Sequence, residues 1–414
     1  MLVAGHYGLR FIVPLHSFVP FDRAVSAILV ALLLVYWAID YHSTGQAALS
    51  SRTASAKMAI IAVSIMILAV APTFFAIALR HQTAPHLFVH DGLIQTEEAA
   101  RLTLQGENPY QADYSTTPMG DWAFAQEGVR ENPALRHFPY LPVTFLLPIP
   151  FRAVALWLLG WFDLRMVYLL AFLLLIALAA LLPDTPLARR LLVISIGLNP
   201  LFIPFLVEGR NDVLVLFFFA LTLLLLRDGH GLGSSAALAI ACATKPFVWP
   251  FVPFHFICLA ANQSRADKRR WLPMATFALL TLALVLPWLT WSPRDFLGDT
   301  LAFQSGSLGD SYPIAGVGFS AALLQVGILQ SPLQPWPFWI VQLAATAVFA
   351  SWGLLRTWRE PNNLNLAVGG FVLVLAAGLF VSRSFHDNYL AFLLSVLALG
   401  AFIGQPRWTV HQDS

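Results

Sequence analysis

Four places in this chain set ionisable side chains directly against apolar sequence. His90-Asp91 follows one apolar run, and Glu208-Gly209-Arg210-Asn211-Asp212 separates two others. Lys245-Pro246 interrupts a pair of short runs, and Arg383, His386 and Asp387 precede the last one. Charged groups beside membrane-type sequence are costly and tend to line functional cavities. Lys245 is one of only three lysines, and nothing near it in sequence neutralises it. A desolvated cation of that kind needs an anion, and a phosphate is a natural one. Asp91 is a loop acid, the N-cap of a following helix, or an acid–base group. Asn211 or Asp212 can cap the run beginning at Val213, and Arg210 can pair with Glu208 or Asp212. His386 is either functional or an interfacial histidine with a water partner.

The elements that must hold these groups are membrane helices. Hydrophobic residues make up 58% of the 414 positions and charged residues 11%, against about 25% charged in a soluble domain. The mean hydropathy of +0.70 agrees. Apolar runs recur at 24–40, 58–79, 142–160, 165–182, 191–206, 213–227, 233–244, 247–261, 271–290, 336–355, 364–382 and 388–404, with a weaker piece at 315–329. The expectation is an all-α polytopic transmembrane bundle of about 11–13 segments, forming one domain over 1–414. Prolines 142, 148, 150, 246, 250 and 253 predict broken or re-entrant helices, tolerated only where protein or a wet cavity satisfies the backbone. Cys242 and Cys258 read as small core hydrophobes. No cleavable signal peptide is expected, because the first strong run continues into ordinary chain. A net charge of +2 gives no basic stripe for nucleic acid.

Positive charge orients the bundle. Arg52 with Lys57, Arg189 with Arg190, the cluster Arg265, Lys268, Arg269 and Arg270, and Arg356, Arg359 and Arg407 mark cytoplasmic loops. The long loop 80–140 carries eight acids, Glu127 among them, against four arginines, and the loop 291–335 carries Asp295, Asp299 and Asp310 against Arg294. Both are assigned outside. To keep Arg189 and Arg190 inside, the stretch from Pro139 to Phe151 is expected to be re-entrant or juxtamembrane, and 315–329 a helix on the outer surface. The first loop should open with a helix from Gly92 to Gln105 that Gly106 stops. The chain has no G-x-x-x-x-G-K loop, dinucleotide fingerprint, H-E-x-x-H or G-x-S-x-G, so ATP-driven transport, zinc proteolysis and serine hydrolysis lack support.

Asp91 through Tyr110, read as D-x(6)-E-x(7)-G-E-N-P-Y, resembles the first outer loop of GT-C glycosyltransferases. The pattern is most similar to glycosyltransferase family 87, the polyprenyl-phosphate-mannose-dependent mannosyltransferases. Gly106 with Pro109 and Tyr110, then Tyr140 with Pro142, match its loop and the start of its next segment. Gly209-Arg210-Asn211-Asp212 resembles a Gly-Gln-x-Asn-like element, with arginine in place of glutamine, and Lys245 and His386 match later features. An additional N-terminal span is a further departure. The resemblance implies transfer of a hexose, mannose above all, from a polyprenyl-phosphate sugar to an acceptor hydroxyl on a lipid or cell-envelope glycan. It implies an extracytoplasmic site in the cell membrane, and inversion. Asp91 would be the general base. Lys245, Arg210, His386 and Arg383 would hold the donor phosphate, with Glu208, Asn211, Asp212, Tyr110, His137, Tyr140 and Asp387 around the substrates. No cofactor is required, and a divalent metal is not indicated. A secondary transporter or flippase is the competing reading, but it would not need the loop that Asp91 opens, and no internal repeat is visible.

Overall fold

A computed structural model describes residues 19–42, 51–124, 129–262 and 269–407. Glu127, Arg265 and Lys268 lie outside the described residues. Each apolar run expected to cross the bilayer is helical. In chain order come α1 (Val19–His42), α2 (Arg52–Gln82), the loop helix α3 (Asp91–Leu104), α4 (Val143–Leu159) and α5 (Arg165–Leu181). Then follow α6 (Pro186–Gly197), α7 (Ile203–Glu208), α8 (Asp212–Arg227), α9 (Gly231–Cys242), α10 (Val252–Asn262) and α11 (Leu272–Trp291). A helical stretch, α12, covers 293–305, and α13 (Phe319–Gln325) is short. The chain ends on α14 (Phe338–Arg359), α15 (Leu364–Phe380) and α16 (Asp387–Phe402). Four of these, α1, α2, α11 and α14, are long and apolar enough to cross a membrane alone. The others are shorter; α5, α8, α9, α15 and α16 pack into the core, whereas α4 is largely exposed beyond Pro148.

Two expectations, at 191–206 and 315–329, need correction, and the stretch from Pro139 to Phe151 gains detail. The run at 191–206 is two helices, because Asn199 Oδ1 accepts the Leu201 N–H and Pro200 has no N–H to continue the ladder. The proline-rich stretch expected to be re-entrant or juxtamembrane is helical from Val143 to Leu159, with Pro148 at the first turn of its longer part, where no donor is missed. The expected surface helix at 315–329 shrinks to α13. Ala315–Gly316 instead pairs in parallel with Ser384–Phe385. Gly316 makes that pairing possible: its φ is +85°, and a Cβ there would lie 2.0 Å from the Phe385 carbonyl oxygen.

A buried charge network fixes the start of α3. Arg80, at the end of α2, pairs with Glu97 Oε2 at 2.8 Å and Asp163 Oδ2 at 3.0 Å. Arg165 is fully buried and uses all five donors: two on Asp163, and one each on the carbonyls of Ala76, Phe88 and Val207. Phe88 needs such a hold, since its φ of 57° is left-handed and it is not glycine. The same guanidinium thus ties the turn before Asp91 to the end of α7, before Arg210. The His90 N–H donates to the Glu208 carbonyl at 2.9 Å and closes that seam. Removing one partner from such a buried pair costs about 3–5 kcal/mol.

The loops are knitted by local polar geometry. Asn108, Asp113 and Asn132 each accept an N–H two residues on and head a short 3₁₀ turn. Tyr110 sits among Phe138, Phe145, Trp288 and Phe296, with ring centroids 4.9–6.2 Å away. Its hydroxyl donates to the Tyr140 carbonyl at 2.8 Å.

Candidate active site

Between the loops and the helix ends lies a cavity of about 650 Å³. Asp91 lines it from the first turn of α3, and His90 rather than Asp91 is the N-cap. The Gly92 N–H donates to Asp91 Oδ1 at 2.7 Å and to His90 Nδ1 at 3.0 Å. His90 Nδ1 stands 2.8 Å from Asp91 Oδ1. On the other side, Asn132 donates to Asp91 Oδ2 at 2.7 Å, and the Tyr312 hydroxyl bridges Asn132 Oδ1 at 2.7 Å. Burial alone would raise the Asp91 carboxyl. His90, Asn132 and the Gly92 N–H outweigh it and hold the group well below the usual carboxylate range. Asp91 is therefore a carboxylate at any ordinary pH.

Across the cavity the chain breaks between α7 and α8 and between α9 and α10 present the cations. Gly209, left-handed at φ +90°, ends α7, and Arg210 follows with its Nε 2.9 Å from Glu208 Oε2. Its Nη1 donates to Asn388 Oδ1 at 3.1 Å, and the guanidinium lies over the Phe205 ring. Lys245 is not the lone cation that sequence suggests. Its Nζ is 2.5 Å from Asp212 Oδ1 and faces the rings of Phe247 and Tyr389. Asn388 donates to the other Asp212 oxygen at 2.7 Å, so it links carboxylate and guanidinium in one network. One bond on Asp212 leaves Lys245 two further donors.

Eight expected residues line the cavity: Asp91, Tyr140, Arg210, Asn211, Asp212, Lys245, Arg383 and His386. Asn211 makes no capping hydrogen bond through its side chain. His386 is not a cation here, because burial and then the charges of Arg210 and Lys245 push its pKa down to about 4. Arg383 spends one bond each on the carbonyls of Tyr312, Gln334 and Pro332, fastening the second loop to the last. Four expected residues stand off the cavity. Tyr110 is packed away in its aromatic cluster, Glu208 pairs with Arg210, and Asp387 points to the exterior as the first residue of α16. His137 lies between Asp299 (Nδ1 to Oδ1, 2.7 Å) and Asp310 (Nε2 to Oδ2, 2.9 Å). Four residues that sequence reasoning passed over, Asn132, Tyr312, Asn388 and Tyr389, complete the polar shell. Among the described residues, no three of His, Cys, Asp and Glu gather as a metal-ligand set.

The His137 latch gives a testable pH dependence. Hydrogen bonding to Asp299 raises the imidazole above its ordinary 6.5 despite burial. A raised histidine stabilises the fold fully below the unfolded value, and that contribution disappears as pH rises through the folded one. The melting temperature should therefore fall on going from pH 6.5 to pH 9, and His137→Gln should flatten that part of the curve. An unchanged slope in the variant would mean that another group titrates there.

Beside the polar cavity runs an apolar groove of about 480 Å³ between α9, α11 and α12. Leu141, Pro246, Thr300 and Leu301 line both spaces, so the groove adjoins the cavity that holds the charged groups.

A helical membrane bundle with loops folded over one polar cavity is the architecture of GT-C membrane glycosyltransferases. The model of glycosyltransferase family 87 matches residues 138–382, more than half of the chain, and this protein belongs to that family. The matched region contains Tyr140, Arg210, Asp212 and Lys245, and begins after Asp91. Neither the curated proteins nor the solved structures contain a match to this chain.

Proposed function

We propose that this glycosyltransferase moves a hexose, mannose by family resemblance, from a polyprenyl-phosphate sugar to an acceptor hydroxyl, with inversion and outside the membrane. The observation that carries the reading is that Asp91, Arg210 and Lys245 line one cavity, with an apolar groove adjoining it. A donor with a charged phosphate and a long hydrocarbon tail needs both surroundings at once. The acceptor oxygen forms its bond to the anomeric carbon as the bond from that carbon to the phosphate oxygen breaks. The acceptor proton passes to Asp91, and the phosphodiester donor leaves as a phosphomonoester with one more negative charge. Arg210 and Lys245 stabilise that growing charge, and neutral His386 can add one hydrogen bond. The low proton affinity of Asp91 suits a late transfer, because an oxygen already bonded to the sugar carbon is strongly acidic. Membership of a glycosyltransferase family sets the transporter reading aside.

Incubating the purified protein with polyprenyl-phosphate hexoses and an acceptor extract tests the reading. Mass spectrometry should find released prenyl phosphate together with glycosylated acceptor. Turnover of nucleotide sugars and none of lipid-phosphate sugars would overturn it.

Orientation has its own test. Gly309→Cys, in open space on the second loop, should react with a membrane-impermeant maleimide in intact cells. Asn362→Cys, between α14 and α15, should react only after lysis. The reverse pattern would put the cavity on the cytoplasmic face.

A further inference from the structure

The other end of the bundle carries a cation that the catalytic reading does not use. Arg189 and Arg190 are neighbours on α6, yet their surroundings are opposite. Arg189 is exposed, as a residue reaching for the headgroup region should be. Arg190 is 6% exposed and faces the bundle with Val193 and Gly197. Its Nε has no hydrogen-bond partner, and no carboxylate among the described residues pairs with its guanidinium. The acids at this end are engaged elsewhere. Asp40 pairs with Lys57, Asp184 accepts the Gln405 N–H, and Asp228 pairs with Arg227 and Arg407.

Lys57, itself 2% exposed, lies close enough to Arg190 for the two charges to repel. Helix packing explains why they meet. Gly197 of α6 sits against Ile65 of α2, where a Cβ would come 2.5 Å from its Cδ1. Counting back at about 1.5 Å per residue, Lys57 lies roughly 12 Å before that contact on α2, and Arg190 roughly 10 Å before it on α6. The two helices start side by side, which brings the two cations together within the first two turns of each. Two buried cations and one acid leave a positive charge uncompensated. Along α2, Lys57 is roughly 35 Å from Arg80 at the cavity end, so a donor in the catalytic cavity cannot supply the missing anion.

We infer that Arg190, with Lys57 beside it, binds a phosphate group at the end of the bundle opposite the catalytic cavity. A phosphate monoester or diester matches the planar donors of arginine in pairs and is the anion a membrane surface offers in quantity. Two sources share that chemistry, the headgroup of an anionic phospholipid and free phosphate.

The test uses the full chain purified in phosphate-free detergent, with thermal unfolding as the readout. The probes are phosphatidylglycerol, inorganic phosphate, and a diglucosyl diacylglycerol that has the tails without the phosphate. Phosphatidylglycerol should raise the wild-type melting temperature by about 3–5 °C, and Arg190→Gln should abolish that rise. Without added ligand, Arg190→Met should melt at or above the wild type, since it removes an unpaired buried charge. A rise with inorganic phosphate equal to that with the lipid assigns the site to soluble phosphate. A rise with the lipid alone assigns it to the membrane. Equal rises in wild type and Arg190→Gln, a rise with the uncharged glycolipid as large as with phosphatidylglycerol, or no rise at all would each overturn the proposal.

Discussion

Asp91→Asn is expected to lower turnover by on the order of a hundredfold to ten-thousandfold, the usual loss when a general base is removed, while donor affinity stays unchanged. The substitution keeps the size of the side chain and its place on α3. Its amide oxygen can still accept from Gly92 or Asn132, but its nitrogen must face one of those donors, so a small loss of melting temperature accompanies the loss of rate. The decisive comparison is turnover against donor binding in one detergent preparation. Normal turnover would reduce Asp91 to an acid that only steadies the start of the helix. Loss of donor binding along with turnover would make it a structural anchor of the cavity. The pH profile adds a second check. With Asp91 held well below the ordinary carboxylate range and His386 near 4, neither group should bend the kcat profile between pH 5 and 8.

The membrane bundle was legible because composition and twenty-residue apolar runs leave no other fold, and the cavity cations because charge beside such runs is rare. Asp91, Arg210, Asp212 and Lys245 all stand out in this way, and all four line the cavity. The misreadings have a common physical cause. Sequence shows a charge but not what neutralises it. Lys245 looks solitary because its partner Asp212 is 33 positions away, and His137 reads as a substrate contact because its partners Asp299 and Asp310 lie in another loop. At the last turn, charge drew attention to Asp387, while helix phase turns its neutral neighbour Asn388 inward onto Asp212 and Arg210. Asn132 precedes a proline and looks like turn chemistry, which it also performs: its oxygen caps Ala134 while its nitrogen reaches Asp91. Neutral polar residues in loops are too common for sequence to single these out.

The Asp212–Lys245 pair decides whether Lys245 serves the donor or only its neighbour. Lys245→Gln alone should do two things at once. It leaves the Asp212 carboxylate buried with Asn388 as its remaining partner, a loss of about 3–5 kcal/mol of stability. It also removes a cation from the proposed phosphate site, where a charge-assisted hydrogen bond contributes about 1.5–3 kcal/mol, or roughly a tenfold to hundredfold loss in kcat/KM for the donor. The single variant cannot separate these effects, but Lys245→Gln combined with Asp212→Asn can. The double variant keeps the net charge of the cavity, replaces the ion pair with an amide–amide hydrogen bond, and leaves the Asn388 contact an oxygen to donate to. Its melting temperature should return close to that of the wild type. Donor use should stay depressed, because two neutral amides cannot balance the charge that grows on a departing phosphate. If donor use recovers together with stability, Lys245 is the counter-ion of Asp212 and nothing more, and the phosphate rests on Arg210.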